Sequence, residues 1–220
     1  MNRAIRFYQA AIGKKVVMGI TGLIGVGFVI GHMAGNLLVF RGPDAINAYS
    51  HFLKSTGELL WIVRLVLIGA VILHIIAAVQ LTLQNRAARP IGYVDRKPQV
   101  TTLASRTMRW GGALLLIFIV VHILHFTTGT IRPAGVFSEV DVYGNIVASF
   151  HIWWVTLFYV VSMIGLGLHL YHGAWSSVRS LGYAHPSEDP LHRKIALGIA
   201  VIVWLGFTAI PVAVFAGLIG

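Results

Sequence analysis

An all-α integral membrane protein with five transmembrane helices is the architecture expected of this chain, and three observations lead to it. First, of 220 residues 57% are hydrophobic and only 11% charged, where a soluble domain carries roughly 25% charged residues. The mean hydropathy is +0.80. Too little polar material remains to cover a water-facing surface, and a disordered chain is excluded for the same reason. Second, runs free of Asp, Glu, Lys and Arg recur at lengths that match the roughly 20 residues a helix needs to cross the hydrocarbon. Third, no stretch alternates with the period of two that a membrane barrel requires, and lipid forbids an open sheet edge. Cysteine is absent, so disulfides, thiolate metal sites and iron–sulfur ligation within the chain are excluded. At this length a single membrane domain, 1–220, is expected.

The elements follow in order. From Val16 to Phe40 about 25 residues carry no charge, which places the first helix at 16–40. It runs too long for a signal peptide and lacks a small-residue cleavage site. The second charge-free run lies between Arg64 and Arg86; with Leu59–Val63 it gives a helix over 59–85 interrupted by one arginine. The third lies between Arg109 and Arg132 and gives 107–130. The fourth run, from after Asp141 to before Arg179, exceeds one crossing, so its helix is placed at 150–175. The fifth follows Lys194, at 195–218. The first four are expected to form a bundle, with the fifth peripheral. The 84–109 segment reads as an inner connector. The 41–58 and 129–149 segments face the other side and can fold over the bundle end.

Basic residues set the direction. Arg3, Arg6, Lys14, Lys15, Arg86, Arg89, Arg96, Lys97, Arg106, Arg109, Arg179, Arg193 and Lys194 fall on one side; Arg41, Lys54, Arg64 and Arg132 fall on the other. This positive-inside bias puts the N-terminus in the cytoplasm and the C-terminus outside a cell inner membrane. The formal net charge of +10 then reports topology and anionic headgroups, with no nucleic-acid partner implied. Lys14 and Lys15 read as topogenic charge before the first span.

Ten histidines outnumber the seven acidic residues. His32 lies in span one, His74 in span two, His122 and His125 in span three, His169 and His172 in span four; span five has none. An ionisable group inside a membrane is costly and is a functional candidate by default. At about 1.5 Å per residue, His32 and His122 each sit roughly 15 Å below their outer basic anchors, Arg41 and Arg132. His74 and His169 sit roughly 15–18 Å above their inner anchors, Arg86 and Arg179. Spans one and three therefore share one level, spans two and four another. Because anchors snorkel, this arithmetic fixes sides and pairs and leaves the choice between His122 and His125 open. Small residues lie on the same faces: Gly25, Gly35 and Asn36 near His32; Ala70, Ala77 and Ala78 near His74; Ser162, Gly165 and Gly173 near His169. They serve either close helix packing or room for a flat macrocycle. Two histidines from facing helices at one depth are what a six-coordinate b-type haem needs. Zinc asks for three or four ligands converging on one point.

Read as a whole, the chain resembles the five-helix, single-chain dihaem cytochrome b subunit (b558 type) of succinate dehydrogenases and quinol:fumarate reductases. The matching pieces run along the whole sequence. They are Gly25-Val-Gly-Phe-Val-Ile-Gly-His32, Phe40-Arg41-Gly42, Ala45-x-Asn47, Ser50-His51-Phe52, Leu73-His74, Arg109 through Ile117-Phe118 to His122, and Phe158-Tyr159 through His169-Leu-Tyr-His172-Gly173-x-Trp175-Ser176. The resemblance implies two b haems with His32 and His122 as axial ligands of the outer and His74 and His169 of the inner. It thereby selects His122 over His125.

The same resemblance implies a role in respiratory complex II, as the subunit of succinate:quinone oxidoreductase that holds no flavin. A flavoprotein carrying FAD and an iron–sulfur subunit would be the partners on the cytoplasmic side. Electrons would pass to menaquinone or another quinone near the outer haem, where Asn36, His51 and Glu58 are candidate contacts. Arg64 is a candidate to neutralise a haem propionate, or else a snorkelling topological charge. His125 and His172, one turn from the ligands, are candidate neighbours of the haems or packing residues. Complexes of this kind can oligomerise. Two rivals fit the residues alone: a dihaem b subunit of another membrane dehydrogenase, and a haem-free transporter or scaffold whose histidines bind ions or protons.

Overall fold

The computed structural model describes residues 3–88, 102–183 and 189–220; most of the 84–109 connector and His185 lie outside them. Helices make up the ordered elements, with no strand among the described residues. A short α1 (Arg3–Gln9) leads into α2 (Ala11–Asn36), which a 3-10 turn, Leu37–Arg41, extends. Then come α3 (Pro43–Ser55), α4 (Glu58–Ala87) and α5 (Leu103–His122), the last continued by a π turn, Ile123–Thr127. The chain ends with α6 (Val142–Phe150), α7 (Trp153–Ser180) and α8 (Asp189–Phe215). Five segments are long and apolar enough to cross a membrane: Ala11–Arg41, Glu58–Ala87, Leu103–Thr127, Trp153–Ser180 and Pro190–Phe215. All five expected spans are present, their ends shifted by two to five residues in most cases. The protein is a multi-pass, all-α membrane protein.

The surface agrees with lipid as the solvent. Along α4, Leu65, Ile68, Ile72, Val79 and Leu83 are exposed one after another. In water such a stripe would mark a binding face or an aggregation hazard; in hydrocarbon it costs nothing. Exposed Trp61, Trp110, Trp153 and Trp154 sit near the ends of their spans, where amphipathic rings favour the membrane–water boundary.

Both ends of the bundle are shaped by short helices. At the basic end α1 folds against α2. Lys14 is buried, and its Nζ donates to the carbonyls of Tyr8 (3.2 Å) and Gln9 (2.8 Å). A cation there satisfies carbonyls left open at the end of a helix. Lys14 therefore does more than mark topology: it caps α1. At the opposite end α3 and α6 pack together as a roof. Asn47 of α3 donates from Nδ2 to Asp141 Oδ1 (3.1 Å) and accepts from Tyr143 N (3.0 Å). Asp141 is the N-cap of α6 and accepts from Gly144 N at 2.9 Å.

These two donors, the Gly144 amide first, hold the Asp141 carboxyl below its ordinary pKa. A depressed pKa contributes stability above the ordinary value, which is lost as pH falls through the lowered one. Asp141→Ala is accordingly expected to destabilise the roof by about 1 kcal/mol at neutral pH, the usual worth of an N-cap. The gap to wild type should begin to narrow below about pH 4 and close as pH falls through the lowered value. Thermal unfolding in detergent over a series from about pH 7 down to about pH 2 tests this; a gap constant across the whole series would show that the carboxylate charge is irrelevant.

The long helices choose their neighbours selectively. α2 packs on α4, α7 and α8, and α5 packs on α7. The helices of each expected histidine pair, α2 with α5 and α4 with α7, are not extensive packing partners among the described residues. The fifth span is less detached than expected. It supplies no paired histidine, yet α8 lies along much of α7, and Ala196, Ala200, Val203, Ala213 and Val214 are buried. Its Phe207 ring reaches the ring of His32, centroids 5.8 Å apart. Shape complementarity explains the difference: Trp204 of α8 seats against Gly167 of α7, a side-chain fit that hydropathy alone does not reveal.

Candidate functional site

Two histidine pairs lie inside the bundle. His32 of α2 faces His122 at the end of α5 with ring centroids 5.9 Å apart and planes at 81°. His74 of α4 faces His169 of α7 with centroids 6.1 Å apart and planes at 54°. Each pair bridges helices that do not otherwise pack closely, so the side chains meet across a gap. The levels are distinct. His74 touches α2 at Met18 and Thr21, ten or more residues below His32, which separates the pairs by about 15–20 Å along the helix.

This spacing has a chemical meaning. An imidazole nitrogen binds a metal at about 2.0–2.1 Å. Two such bonds in line, with the ring radii added, put the ring centres about 6 Å apart. Each pair therefore has the ring separation that a metal held between two imidazoles would require. No group of three or more metal-ligating side chains converges among the described residues.

The lower pair is set from one side. His74 Nδ1 lies 3.1 Å from the Met18 carbonyl and 3.2 Å from Thr21 Oγ1. A carbonyl only accepts, so this nitrogen carries the proton and donates. Nε2 is left with its lone pair. Thr21 itself donates to the Val17 carbonyl at 2.8 Å, so its oxygen is free to accept. A histidine whose second nitrogen donates to a carbonyl is the usual arrangement of a metal ligand. His169 is half-buried, and its Nδ1 is buried with no hydrogen-bond partner. It borders a cavity of about 290 Å³ between α5 and α7, lined also by Gly111, Leu114 and Gly165.

Near the roof, aromatic rings frame the upper pair. Phe28 stacks on His32 (5.2 Å) and Phe118 on His122 (5.4 Å). Asn36 is committed to His32: its Nδ2 donates to the His32 carbonyl at 2.7 Å and lies 3.3 Å from each ring nitrogen. Tyr159 of α7 is buried, and its hydroxyl lies 3.5 Å from His122 Nδ1 and 3.0 Å from His125 Nδ1. His125 also reaches Ser149 Oγ through Nε2 at 2.9 Å. Both nitrogens of His125 are thus occupied by protein partners, whereas His122 keeps Nε2 free of any. Depth arithmetic left these two residues tied; hydrogen bonding separates them. The π turn after His122 admits His125 to the interior, where its ring stacks on Phe126 at 4.1 Å.

The small residues divide between the two uses open in the sequence. A Cβ on Gly165 would meet Leu114 Cδ2 at 3.0 Å, and one on Gly35 would strike the Tyr49 ring. Ala77 and Ser162 are fully buried. These serve close packing. A Cβ on Gly25 or Gly173 would meet nothing within 4 Å, so open space borders α2 two turns below His32 and α7 one turn beyond His169.

The remaining sequence candidates scatter. Arg64 is half-buried and its guanidinium lies over Trp61, 4.9 Å from the ring centroid. His172 meets Trp175 edge-on at 5.4 Å, and its Nδ1 has no partner. His51 on α3 and Glu58 at the start of α4 are exposed at the roof end. Thr21, Tyr159, Ser149 and Phe207 were not singled out from sequence as contacts of the histidines. A tyrosine hydroxyl and a threonine within apolar spans demand partners, and that was the available signal. Comparison with models of protein families, with curated proteins and with solved structures finds no match.

Proposed function

We propose that this chain is the dihaem cytochrome b membrane anchor of a succinate:quinone oxidoreductase, with His74 and His169 as ligands of the inner haem and His32 and His122 of the outer. One observation carries the reading: two histidine pairs at metal-bridging separation, on two levels, each spanning helices that leave a gap between them. A haem held by two imidazoles supplies one-electron transfer and leaves no open position for oxygen. The chain's own part is to hold the rings. The Met18 carbonyl and Thr21 fix the proton of His74 on Nδ1 and aim Nε2 inward. Phe28, Phe118 and Phe207 pack on the upper rings and exclude water from them. Asn36 holds His32 from the roof side.

On this reading the basic end faces the cytoplasm of a cell inner membrane and receives an iron–sulfur subunit, which in turn carries a flavoprotein with FAD. The roof end, with Asn36, His51 and Glu58, is where menaquinone or another quinone is served. Absence of cysteine from the chain assigns any cluster to a partner. The test is a reduced-minus-oxidised spectrum of the purified chain, followed by a search for copurifying covalent or tightly bound flavin. A b-type α band, two haems per chain and succinate-dependent quinone reduction by the isolated complex are expected. Two haems with a different electron donor would redirect the reading to another membrane dehydrogenase. No haem at all would leave an ion- or proton-binding bundle.

A further inference from the structure

Tyr159 sits at the centre of an aromatic box. Its ring meets Phe118, Phe126, Phe150 and Phe158 edge-on, with centroids 5.0–5.8 Å away. Four rings leave the phenol little freedom, so its hydroxyl is fixed between His122 and His125. The chain His122–Tyr159–His125–Ser149 draws on α5, its π turn, α6 and α7. Three hydrogen bonds join four groups. Tyrosine has one proton to give, so its two contacts cannot both be donations.

We infer that Tyr159 and His125 are positioning residues for His122: they orient its ring and hold its proton on Nδ1. This rests on the haem reading above. Once His122 Nε2 is committed to iron, its Nδ1 carries the proton and donates to the Tyr159 oxygen. The Tyr159 hydroxyl then has one acceptor left, His125 Nδ1. His125 Nε2 in turn carries its proton toward Ser149 Oγ, whose hydroxyl rotates to suit. One ligand bond thereby polarises the whole chain in a single direction. A hydrogen bond from the far nitrogen raises the basicity of a ligating imidazole and fixes its tautomer.

The geometry yields an unusual ordering of variants. Tyr159→Phe keeps the ring packing and removes only the acceptor. Haem affinity at the outer site should fall about tenfold, with the outer midpoint potential shifted upward because a less basic imidazole favours ferric iron less. The inner haem should not change. His125→Leu should be worse. The Tyr159 proton loses its acceptor and turns to His122 Nδ1, which drives the histidine proton onto Nε2, against the iron. The double variant His125→Leu/Tyr159→Phe removes that competitor and should recover to the level of Tyr159→Phe alone.

The full chain, purified in detergent, is titrated with haem and poised electrochemically, with low-spin resonance spectra recorded for each variant. Recovery in the double variant, together with a changed outer signal and an unchanged inner one, supports the inference. A double variant as damaged as His125→Leu, or a Tyr159→Phe chain identical to wild type, overturns it. If His125→Leu does not fold, the outer signal and potential of Tyr159→Phe alone decide. A wild-type chain that takes up no haem fails the haem reading itself, which distinguishes that failure from this one.

Discussion

His169→Ala is expected to leave the chain with one haem where the wild type holds two. The haem that survives should be the outer one, with its potential and spectrum intact. The two levels lie about 15–20 Å apart along α2 and share no side chain in either pair. Effects at sites more than about 7–10 Å apart usually add independently, so removal of one ligand should not reach the other level. The same outcome is expected of His74→Ala, and the mirror outcome of His32→Ala or His122→Ala. Haem content per chain and a redox titration of the α band check this: one of two steps should vanish. Loss of both steps from a single substitution, or of neither, would contradict the pairing. His125→Ala removes the acceptor of the Tyr159 proton and should weaken the outer haem alone, leaving the inner step of the titration unchanged.

Gly25→Leu, between the two levels of α2, is expected to weaken haem binding while leaving the fold unharmed. Gly25 is on the same face as His32, seven residues and about 10 Å below it. A Cβ there would meet nothing within 4 Å, so a leucine can enter without displacing protein. Glycine inside a helix costs about 0.8–1 kcal/mol relative to alanine, and the haem-free chain should therefore melt no lower than wild type. Haem affinity should fall by more than tenfold at one level or both, because the side chain occupies space a macrocycle between the paired histidines would need. Gly35→Leu supplies the contrast. There the Tyr49 ring stands in the way, and overpacking of a filled site costs typically 1–3 kcal/mol, so the fold itself should weaken. Should Gly25→Leu keep both haems at full affinity, the open space beside Gly25 belongs to lipid.

Much of the architecture could be read from the chain alone. Five charge-free runs became five long helices because a backbone in hydrocarbon must satisfy its own hydrogen bonds, and a helix does so within one segment. The span ends were less legible. Helices continue past the apolar run as long as the backbone allows, so α4 reaches Ala87 and α7 reaches Ser180. The pairing of spans one with three and two with four followed from depth, since rise per residue is a property of the helix and not of its neighbours. Lys14 shows the limit. Its position before a span suggested topology, but its role as a cap on α1 depends on a fold-back that no local pattern announces.

Composition and spacing decided that this is a multi-pass helical membrane protein with an intramembrane histidine on each of four spans. Those properties are local: hydropathy and helical rise act residue by residue. The packed structure decided what spacing could not. It showed that each pair meets at about 6 Å across a gap, and that His125 is already satisfied by Tyr159 and Ser149. It also sorted the glycines into those filled by neighbours and those facing open space. These depend on rotation about each helix axis and on which helices touch, and both are set by contacts between residues far apart in sequence. A histidine's place along a helix is written in its number; its partner is fixed only when the helices have packed.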